Sequence, residues 1–387
     1  MRILIISRGI PSKQDPQWGS FEFDQAKALT ALGHDVIMAS VDTRFRLFWR
    51  KFGMSTCTID GVKAYNLFVC PSAIVGLLGR RVRERYTAWL WHKMESTLIQ
   101  NEGKIDVIYP HYLNNTYFAV NYLQNIHAPV VAIEHWSAVN QPTIAKDIQA
   151  MGEDAYPKVD QLITVSKAAQ DSIKRHFGKE SVVVHNMVSR DFQYVAKQNT
   201  KKKKLTFISI GSLRPLKGFD TLVKAFAGST IPKEQWELLI IGNGTEQRHI
   251  QTLIRQTGQQ DNIHLLGQKS SAEIRRLLTT SDVFVLASRS ETFGVVYVEA
   301  MACGLPVIAT RCGGPQEFVT EANGLLVDVD DIKALTDAIH HMHAHYADYD
   351  HEAIAAECQR RFSSEVIARQ LTEIFENTVA HPQANKS

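Results

Sequence analysis

The 387-residue sequence predicts an α/β protein built as two doubly wound domains. Three observations predict it. The length exceeds what one ordinary domain of roughly 100–200 residues needs. Both halves alternate short β-branched runs with helix-length stretches, the pattern of parallel sheets with crossover helices. The composition, 44% hydrophobic and 21% charged, lies in the globular range and sets aside collagen, coiled coil and disorder.

The first half opens with Arg2–Ile6, too short for a signal-peptide core and read as a buried strand. Further strands are expected near Asp35–Ala39, Val62–Phe68, Asp106–Tyr109, Val130–Ile133, Leu162–Val165 and Val182–Val184. Helices fit near Phe21–Leu32, Gly79–Gln100, Thr116–Gln124 and Lys167–Phe177. The polar stretch from Ser189 to Lys204 ends in four lysines and reads as a solvated linker. Domains are therefore expected over 1–188 and 205–360, with the linker at 189–204. After it the pattern restarts at Leu205–Ile210, then Glu237–Ile241, Ile263–Leu266, Val283–Leu286, Val307–Ala309 and Leu325–Val327, each followed by a helical stretch. Val366, Ile367, Leu371, Ile374 and Phe375 have helical spacing, so residues 361–387 should form a helix packing back across the domains, and a tail. Open sheets bind ligands outside the carboxyl ends of their strands, which places the expected site in a central cleft between facing domains.

Charge and cysteine usage narrow the function classes. A net charge of +3 is too mild for a nucleic-acid partner. Residues 1–187 hold 21 Lys/Arg against 17 Asp/Glu, whereas residues 188–387 hold 22 against 23, so the positive excess belongs to the first half. Cys57, Cys70, Cys303, Cys312 and Cys358 are scattered without a C-x-x-C pair, which argues for reduced thiols in a cytosol. No run approaches the ~18 apolar residues of a membrane-spanning helix.

The densest chemical signal is Ser288-Arg-Ser-Glu291-Thr-Phe-Gly294-Val-Val-Tyr-Val-Glu299, continuing through Gly304-Leu-Pro306. It follows an expected strand, and the apolar run after Gly294 reads as a helix. Free N–H groups from Phe293 through Val295 to Val296 would open that helix as an anion site, and Gly294 lets backbone approach a ligand. Glu291 precedes the helix and Glu299 is expected about two turns into it. Eight helical residues span ~12 Å, more than the roughly 5–9.5 Å between paired glycosidase carboxyls, so the acids suit different parts of one extended ligand. From spacing alone, Glu291 as a helix cap with Glu299 on the exposed face is the favoured reading.

Other signals sit at strand ends. Gly211-Ser212-Leu-Arg214-Pro-Leu-Lys217-Gly218 combines small residues with cations suited to phosphate, or is a turn with solvated charges; it lacks the P-loop pattern. Gly242-Asn-Gly244 is a tight turn and weak evidence for a phosphate grip. Trp18-Gly19-Ser20 precedes the first helix and offers backbone N–H groups, or a plain N-cap by Ser20. His135, after the strand ending at Ile133, is a candidate site residue or a structural histidine. No metal is expected. In Asp328-Val-Asp330 the second acid reads as a helix N-cap, Asp348-Tyr-Asp350 lies far along the chain, and His341 with His345 lacks a third ligand.

Together these motifs resemble the large retaining glycosyltransferase family 4, whose fold is GT-B, two Rossmann-like domains. The resemblance rests on Glu291-Thr-Phe-Gly through Glu299-Ala-Met-Ala-Cys-Gly-Leu-Pro-Val-Ile-Ala-Thr310, with Gly211 to Gly218, Gly242 to Glu246, Leu266-Gly267, Gly313-Gly314 and Asn323 to Val327. It implies that Glu299 holds the ribose and Glu291 the hydroxyls of the transferred sugar. The N–H groups of Phe293 to Val296, with Lys217, would carry the diphosphate. Gln268 and Lys269 would lie beside the base, Gly19 would face the phosphates, and His135 would lie beside the sugar on the acceptor side. The family often has Arg where this chain has Ser212; Arg214 lies two places on. The resemblance implies a retaining, metal-independent transfer from a nucleoside-diphosphate sugar to a glycan or lipid-linked acceptor in bacterial surface polysaccharide or glycoconjugate synthesis, without a cofactor. Alternatives are a sugar-nucleotide epimerase of the same fold and a catalytically silent sugar-nucleotide-binding subunit.

A last signal concerns location. Arg44-Phe-Arg-Leu-Phe-Trp-Arg-Lys-Phe52 carries four cations and four aromatics, and Arg80-Arg-Val-Arg-Glu-Arg85 leads into Tyr86, Trp89, Leu90 and Trp91. Basic residues beside exposed aromatics suit an anionic bilayer surface, so a cytoplasmic protein in peripheral contact with the inner membrane face is expected.

Overall fold

The computed structural model describes residues 1–12, 15, 18–45, 51–196 and 204–381. It divides into two compact units, Met1–His185 with Ser364–Ser387, and Asn186–Ser363. Most of the lysine run at 201–204 lies outside the described residues.

In the first unit the chain runs β1 (Arg2–Ile6), α1 (Ser20–Ala31), β2 (Asp35–Asp42), β3 (Gly53–Ile59), β4 (Val62–Phe68), α2 (Ser72–Gly76) and α3 (Arg80–Glu102). It continues with β5 (Val107–Pro110), α4 (Tyr112–Tyr122), β6 (Val131–Glu134), α5 (Lys146–Ala155), β7 (Gln161–Thr164), α6 (Lys167–Phe177) and β8 (Val182–Val183). One sheet has the order β3-β4-β2-β1-β5, and β6-β7-β8 form a second. Bridges Ile108↔Val130 and His111↔Ile133 link them. The central strands are continuous apolar runs because helices cover both faces: Ile3 to Ile6 and Val36 to Ala39 are almost fully buried. Among the described strands only β3 pairs antiparallel, at the edge on β4. Its sequence, Gly-Met-Ser-Thr-Cys-Thr-Ile, is mostly exposed and therefore lacks the apolar run that marks its neighbours.

The second unit runs β9 (Leu205–Ile210), α7 (Phe219–Ala227), β10 (Trp236–Ile241), α8 (Gln247–Gln256), β11 (Ile263–Gly267), α9 (Ser271–Thr280), β12 (Val283–Leu286) and α10 (Val295–Ala302). Then come β13 (Val307–Thr310), β14 (Gly324–Val327), α11 (Ile332–His345) and α12 (His351–Phe362). All its strand pairs are parallel, in the order β11-β10-β9-β12-β13-β14. This is the doubly wound order, with the direction of winding reversed between β9 and β12. The loops leaving those two strands carry Lys217 and Glu291.

The C-terminal helix α13 (Ser364–Ala380) belongs to the first unit. It packs on α1, with His34 Nε2 2.9 Å from Thr372 Oγ1 and the Phe375 ring edge-on to Tyr109 at 4.9 Å. Its Ile367, Ala368, Leu371 and Phe375 are buried, as helical spacing demands.

Two helix starts differ from the sequence expectation. Asp331, not Asp330, caps α11 by accepting from the Ala334 N–H at 2.8 Å. Ser20 is the first residue of α1, and Gly19 is its N-cap, in the left-handed region at φ 78°. A Cβ on Gly19 would stand 2.0 Å from the Gly9 carbonyl oxygen, so the close pass of two loop segments requires glycine there.

Candidate active site

In the second unit, the loop after β9 forms a 3-10 turn, Pro215–Lys217, closed by Gly218 at φ 61°. A Cβ at Gly218 would lie 1.8 Å from the Ala287 carbonyl oxygen, so this turn packs directly on the segment leaving β12. Lys217 Nζ consequently meets Glu291 Oε1 at 2.6 Å. The carboxylate is 8% exposed and the lysine 21%, so the pair is more shielded than a surface ion pair. Ser288 Oγ also donates to Glu291 Oε1, at 2.7 Å.

The backbone of Glu291 is fixed on both sides. Its N–H donates to the Cys312 carbonyl at 3.0 Å, and its own carbonyl accepts from Gly314 N–H at 3.1 Å. Gly314 sits so close to Phe293 that a Cβ would stand 2.3 Å from that residue's carbonyl oxygen. Burial pushes the neighbouring Cys312 thiol up to about 11, which keeps it protonated at neutral pH.

Helix α10 begins at Val295, with Gly294 as N-cap at φ 97° and no side chain capping it. Glu291 is thus not the cap; its carboxylate is spent on Lys217 and Ser288. The helix starts four residues after Glu291, so Glu299 lies about one turn in, rather than two. Among the α10 residues only Val295, Val296 and Glu299 are half-buried and the rest are buried, so Glu299 shares a face with the open helix end. Phe293 is buried against Phe318 and Phe362, leaving only its backbone for a ligand.

The glycine turn after β10 packs closely on the loop after β9. A Cβ on Gly242 would stand 1.9 Å from the Gly211 carbonyl oxygen, and one on Gly244 2.2 Å from that of Leu213. Leu213 N–H donates to Asn243 O at 2.9 Å, and Glu246 N–H donates to Leu213 O at 2.9 Å. The two loops are stitched together, burying Leu213 and leaving Ser212 and Arg214 exposed. Gln268 and Lys269 follow β11, on the same carboxyl edge of the sheet.

Neither D-x-D stretch gathers ligands. Asp328 pairs with Arg311 at 3.2 Å and Asp330 with Arg289 at 2.8 Å, while Asp348 pairs with His345 and Asp350 caps α12. Among the described residues no group of three His, Cys, Asp or Glu side chains could hold a metal.

The first unit carries Gly19 and His135, together with residues the motifs did not single out. His135 follows β6; its Nε2 is 3.2 Å from His111 Nδ1, and its ring packs on Phe21 at 4.9 Å and Tyr112 at 5.1 Å. His111 is fully buried with Nε2 unpartnered, and burial, reinforced by the Arg8 charge, lowers its pKa to about 3. Glu134 is also fully buried, and burial raises its carboxyl to about 7, although it accepts from Trp136 N–H at 2.6 Å and the Tyr156 hydroxyl at 2.8 Å. Tyr112 adopts φ 69°, unusual for an aromatic residue, with the Arg8 guanidinium 4.0 Å from its ring centroid. The signal in the sequence was Pro110-His-Tyr112 at the end of an expected strand.

The expected membrane segment is partly corrected. Residues 46–50, including Arg46 and Arg50, lie outside the described residues. Arg44 pairs with Asp42 and Asp15 and stacks over Trp18 at 3.3 Å, so it is not a free surface cation. Leu90 and Trp91 are core, whereas Trp89 is 55% exposed. The α2–α3 turn adds Leu77 and Leu78, 86% and 72% exposed, immediately before Arg80, Arg81 and Arg83. No described helix is long and apolar enough to cross a membrane.

Comparison with known proteins bears on this geometry. The model described as Glycosyltransferase Family 4 matches residues 23–192, and that described as Glycosyl transferases group 1 matches residues 191–356. An uncharacterized glycosyltransferase of Methanocaldococcus jannaschii is 30% identical over 240 residues, 61% of this chain and 65% of that protein. The chain thus spans just under two thirds of that relative. Phosphatidyl-myo-inositol mannosyltransferase of Mycobacterium leprae is 29% identical over 285 residues, 72% of this chain and 75% of that protein. HepE of Anabaena, solved with UDP and glucose, superposes with TM-score 0.76 at 19% identity, covering 97% of this chain and 100% of that one. This likeness establishes the GT-B fold.

Proposed function

As the chain belongs to the group 1 glycosyltransferases of the family 4 type, we propose that it is a retaining, metal-independent enzyme. It moves a sugar from a nucleoside-diphosphate sugar to a glycan or lipid-linked acceptor in bacterial surface polysaccharide or glycoconjugate synthesis. The observation that carries this reading is the Lys217–Glu291 pair beside the uncapped start of α10, at the winding reversal of the second unit. The UDP of HepE and the phosphatidyl-inositol acceptor in the name of the M. leprae relative support the donor class and the lipid-linked option.

The chemistry follows from the donors and acceptors in place. An ammonium has three N–H donors, and Glu291 takes one from Lys217, leaving two for phosphate oxygens. As the bond from anomeric carbon to phosphate oxygen breaks, negative charge grows on the diphosphate. Lys217 and the N–H groups opening α10 stabilise it without a metal. Both bonds to Glu291 fall on Oε1, so Oε2 serves the hydroxyls of the transferred sugar. Glu299 holds the ribose, and Gln268 and Lys269 lie beside the base. The acceptor oxygen attacks from the side the leaving group departs, its proton passing to the leaving phosphate oxygen. The configuration is thereby retained. Gly19 serves the phosphates, and His135 serves the sugar on the acceptor side.

Thermal-shift screening of UDP-, GDP- and ADP-sugars, followed by transfer assays in EDTA, tests the reading. Stabilisation by one donor class and metal-free turnover are expected. Complete loss in EDTA, restored by Mg²⁺ or Mn²⁺, refutes metal independence, and donor interconversion without acceptor identifies an epimerase.

Peripheral membrane contact is part of the proposal. Leu77, Leu78 and Trp89 beside the arginines from Arg80 to Arg85 supply an apolar and basic face, worth roughly 1 kcal/mol per cation near an anionic surface. Co-sedimentation with anionic but not neutral liposomes, weakened by Arg81→Glu with Leu77→Ser, is expected. Equal recovery with both lipids would sink it.

A further inference from the structure

Lys217 and Glu291 come from two loops that leave the sheet early. Strands β9 and β12 pair only through Val283↔Phe207 and Phe284↔Ile208, so the ladder does not reach either side chain. One residue bridges the gap. Arg289 N–H donates to Leu216 O at 2.8 Å, next to Lys217, and Arg289 stands two residues before Glu291. Its guanidinium then engages three segments. Nη1 donates to the Pro215 carbonyl, Nη2 to Asp220 at 2.9 Å and to the Thr221 hydroxyl at 3.2 Å, and Nε to Asp330 at 2.8 and 3.0 Å. Thr221 Oγ1 donates in turn to Asp330 Oδ1 at 2.9 Å, closing the network. Asp330 is the second acid of a D-x-D stretch and stands at φ 60°. That conformation costs an L residue roughly 1–2 kcal/mol, offset here by the bonds to Arg289 and Thr221.

We propose that Arg289 is a positioning residue that sets the separation of Lys217 from Glu291, with Asp220, Thr221 and Asp330 as its anchors. The proposal rests on the reading of Lys217 as the cation facing the leaving group. A planar fork with fixed donor directions ties the three segments together; a lysine in its place is a single point charge and spans them poorly.

The first test needs no substrate. Acylation of lysines by sulfo-N-hydroxysuccinimide acetate, read residue by residue by mass spectrometry, reports how tightly Glu291 holds Lys217. Arg289→Ala should raise the Lys217 labelling rate about fivefold, the factor for ~1 kcal/mol of lost pairing, with Lys333 unchanged. Arg289→Lys should resemble the alanine variant, and Asp220→Asn or Thr221→Val should give smaller increases of the same sign. Those two variants carry the test if Arg289→Ala fails to fold. An unchanged Lys217 rate in all of them overturns the proposal. The second test is a double-mutant cycle on hydrolysis of UDP-glucose, GDP-mannose and ADP-glucose without acceptor. Arg289→Ala should slow the hydrolysed donor roughly 30-fold in the native background but less than ~3-fold beside Lys217→Ala. Equal factors in both backgrounds mean that Arg289 merely stabilises the fold. A Lys217→Ala enzyme as fast as the native one refutes the reading of the site, while the labelling result still decides Arg289.

Discussion

The two units place their candidate residues at equivalent points, the carboxyl ends of central parallel strands, yet furnish them in opposite ways. The second unit uses ion pairs with one end open to solvent: Lys217 with Glu291, and Arg289 with Asp220 and Asp330. The first uses fully buried groups held away from their usual charge, His111 lowered to about 3 and Glu134 raised to about 7. Fixed charge suits a diphosphate, whose ionisation hardly varies near neutral pH. Buried groups with shifted pKa values make the first unit's stability depend on pH.

The sharpest way to break this comparison is at Lys217. Lys217→Ala should lower turnover by at least ~100-fold, the usual cost of losing a group aimed at developing charge. Near-native rates from folded protein would mean the second unit does not work through fixed charge. Next come the two acids. Glu299→Gln should weaken free nucleoside diphosphate by about tenfold, the equivalent of ~1.4 kcal/mol, because its partner is the ribose. Glu291→Gln should slow transfer while leaving that binding nearly intact; equal effects on binding would reverse the assignment of ribose and sugar ends.

Legibility in the sequence followed burial. Strands β1, β2, β12 and β13 were readable because each carries a buried apolar run, while β4, β11 and β14 were readable although Lys63 and Asn66 interrupt the first and the other two are partly exposed edges. The edge strand β3 was not, since its exposed residues carry no pattern that the core imposes. At the site, the Glu291–Glu299 motif and Lys217 were legible by type and position. Their direct contact was not, because it depends on Gly218 allowing one loop to lie on another. Gly242 and Gly244 also pack two loops together, which their spacing did not announce; Asp330 looked like a cap and pairs with Arg289. Trp89 and Trp91 are two residues apart and opposite in exposure, a distinction that needs the phase of α3 to be known.

A smaller expected effect tests the pH side of the comparison. Glu134 rises from 4.5 unfolded to about 7 folded, so the native state holds the extra proton between those values and stability falls as pH climbs through them. His111 falls from 6.5 to about 3, so the unfolded state holds the extra proton and stability falls as pH drops through that range. Between 4.5 and 6.5 the slopes oppose each other. Denaturant titrations should therefore show a flat native profile there. Glu134→Gln should expose the histidine slope and His111→Leu the carboxyl slope, each about 1.4 kcal/mol per pH unit. Two variants as flat as the native chain would show that the first unit is not tuned by its buried groups.

The smallest effect expected is at Gly242. Gly242→Ala should lower the thermal midpoint by several degrees, for a cost of about 1–3 kcal/mol, through collision with the Gly211 carbonyl. The loop-packing role of the glycine predicts that diphosphate affinity moves little. A selective loss of affinity without loss of stability would return it to the binding site.

Helix α13 has a consequence for the order of events during synthesis. It closes over Tyr109 and α1 of the first unit, yet the ribosome makes it only after all of the second. The first unit therefore emerges before the second and is finished after it, its apolar seam under Leu371 and Phe375 waiting for α13. Nascent-chain complexes halted before Ser364 should bind hydrophobic-surface chaperones more avidly than those released after Ala380.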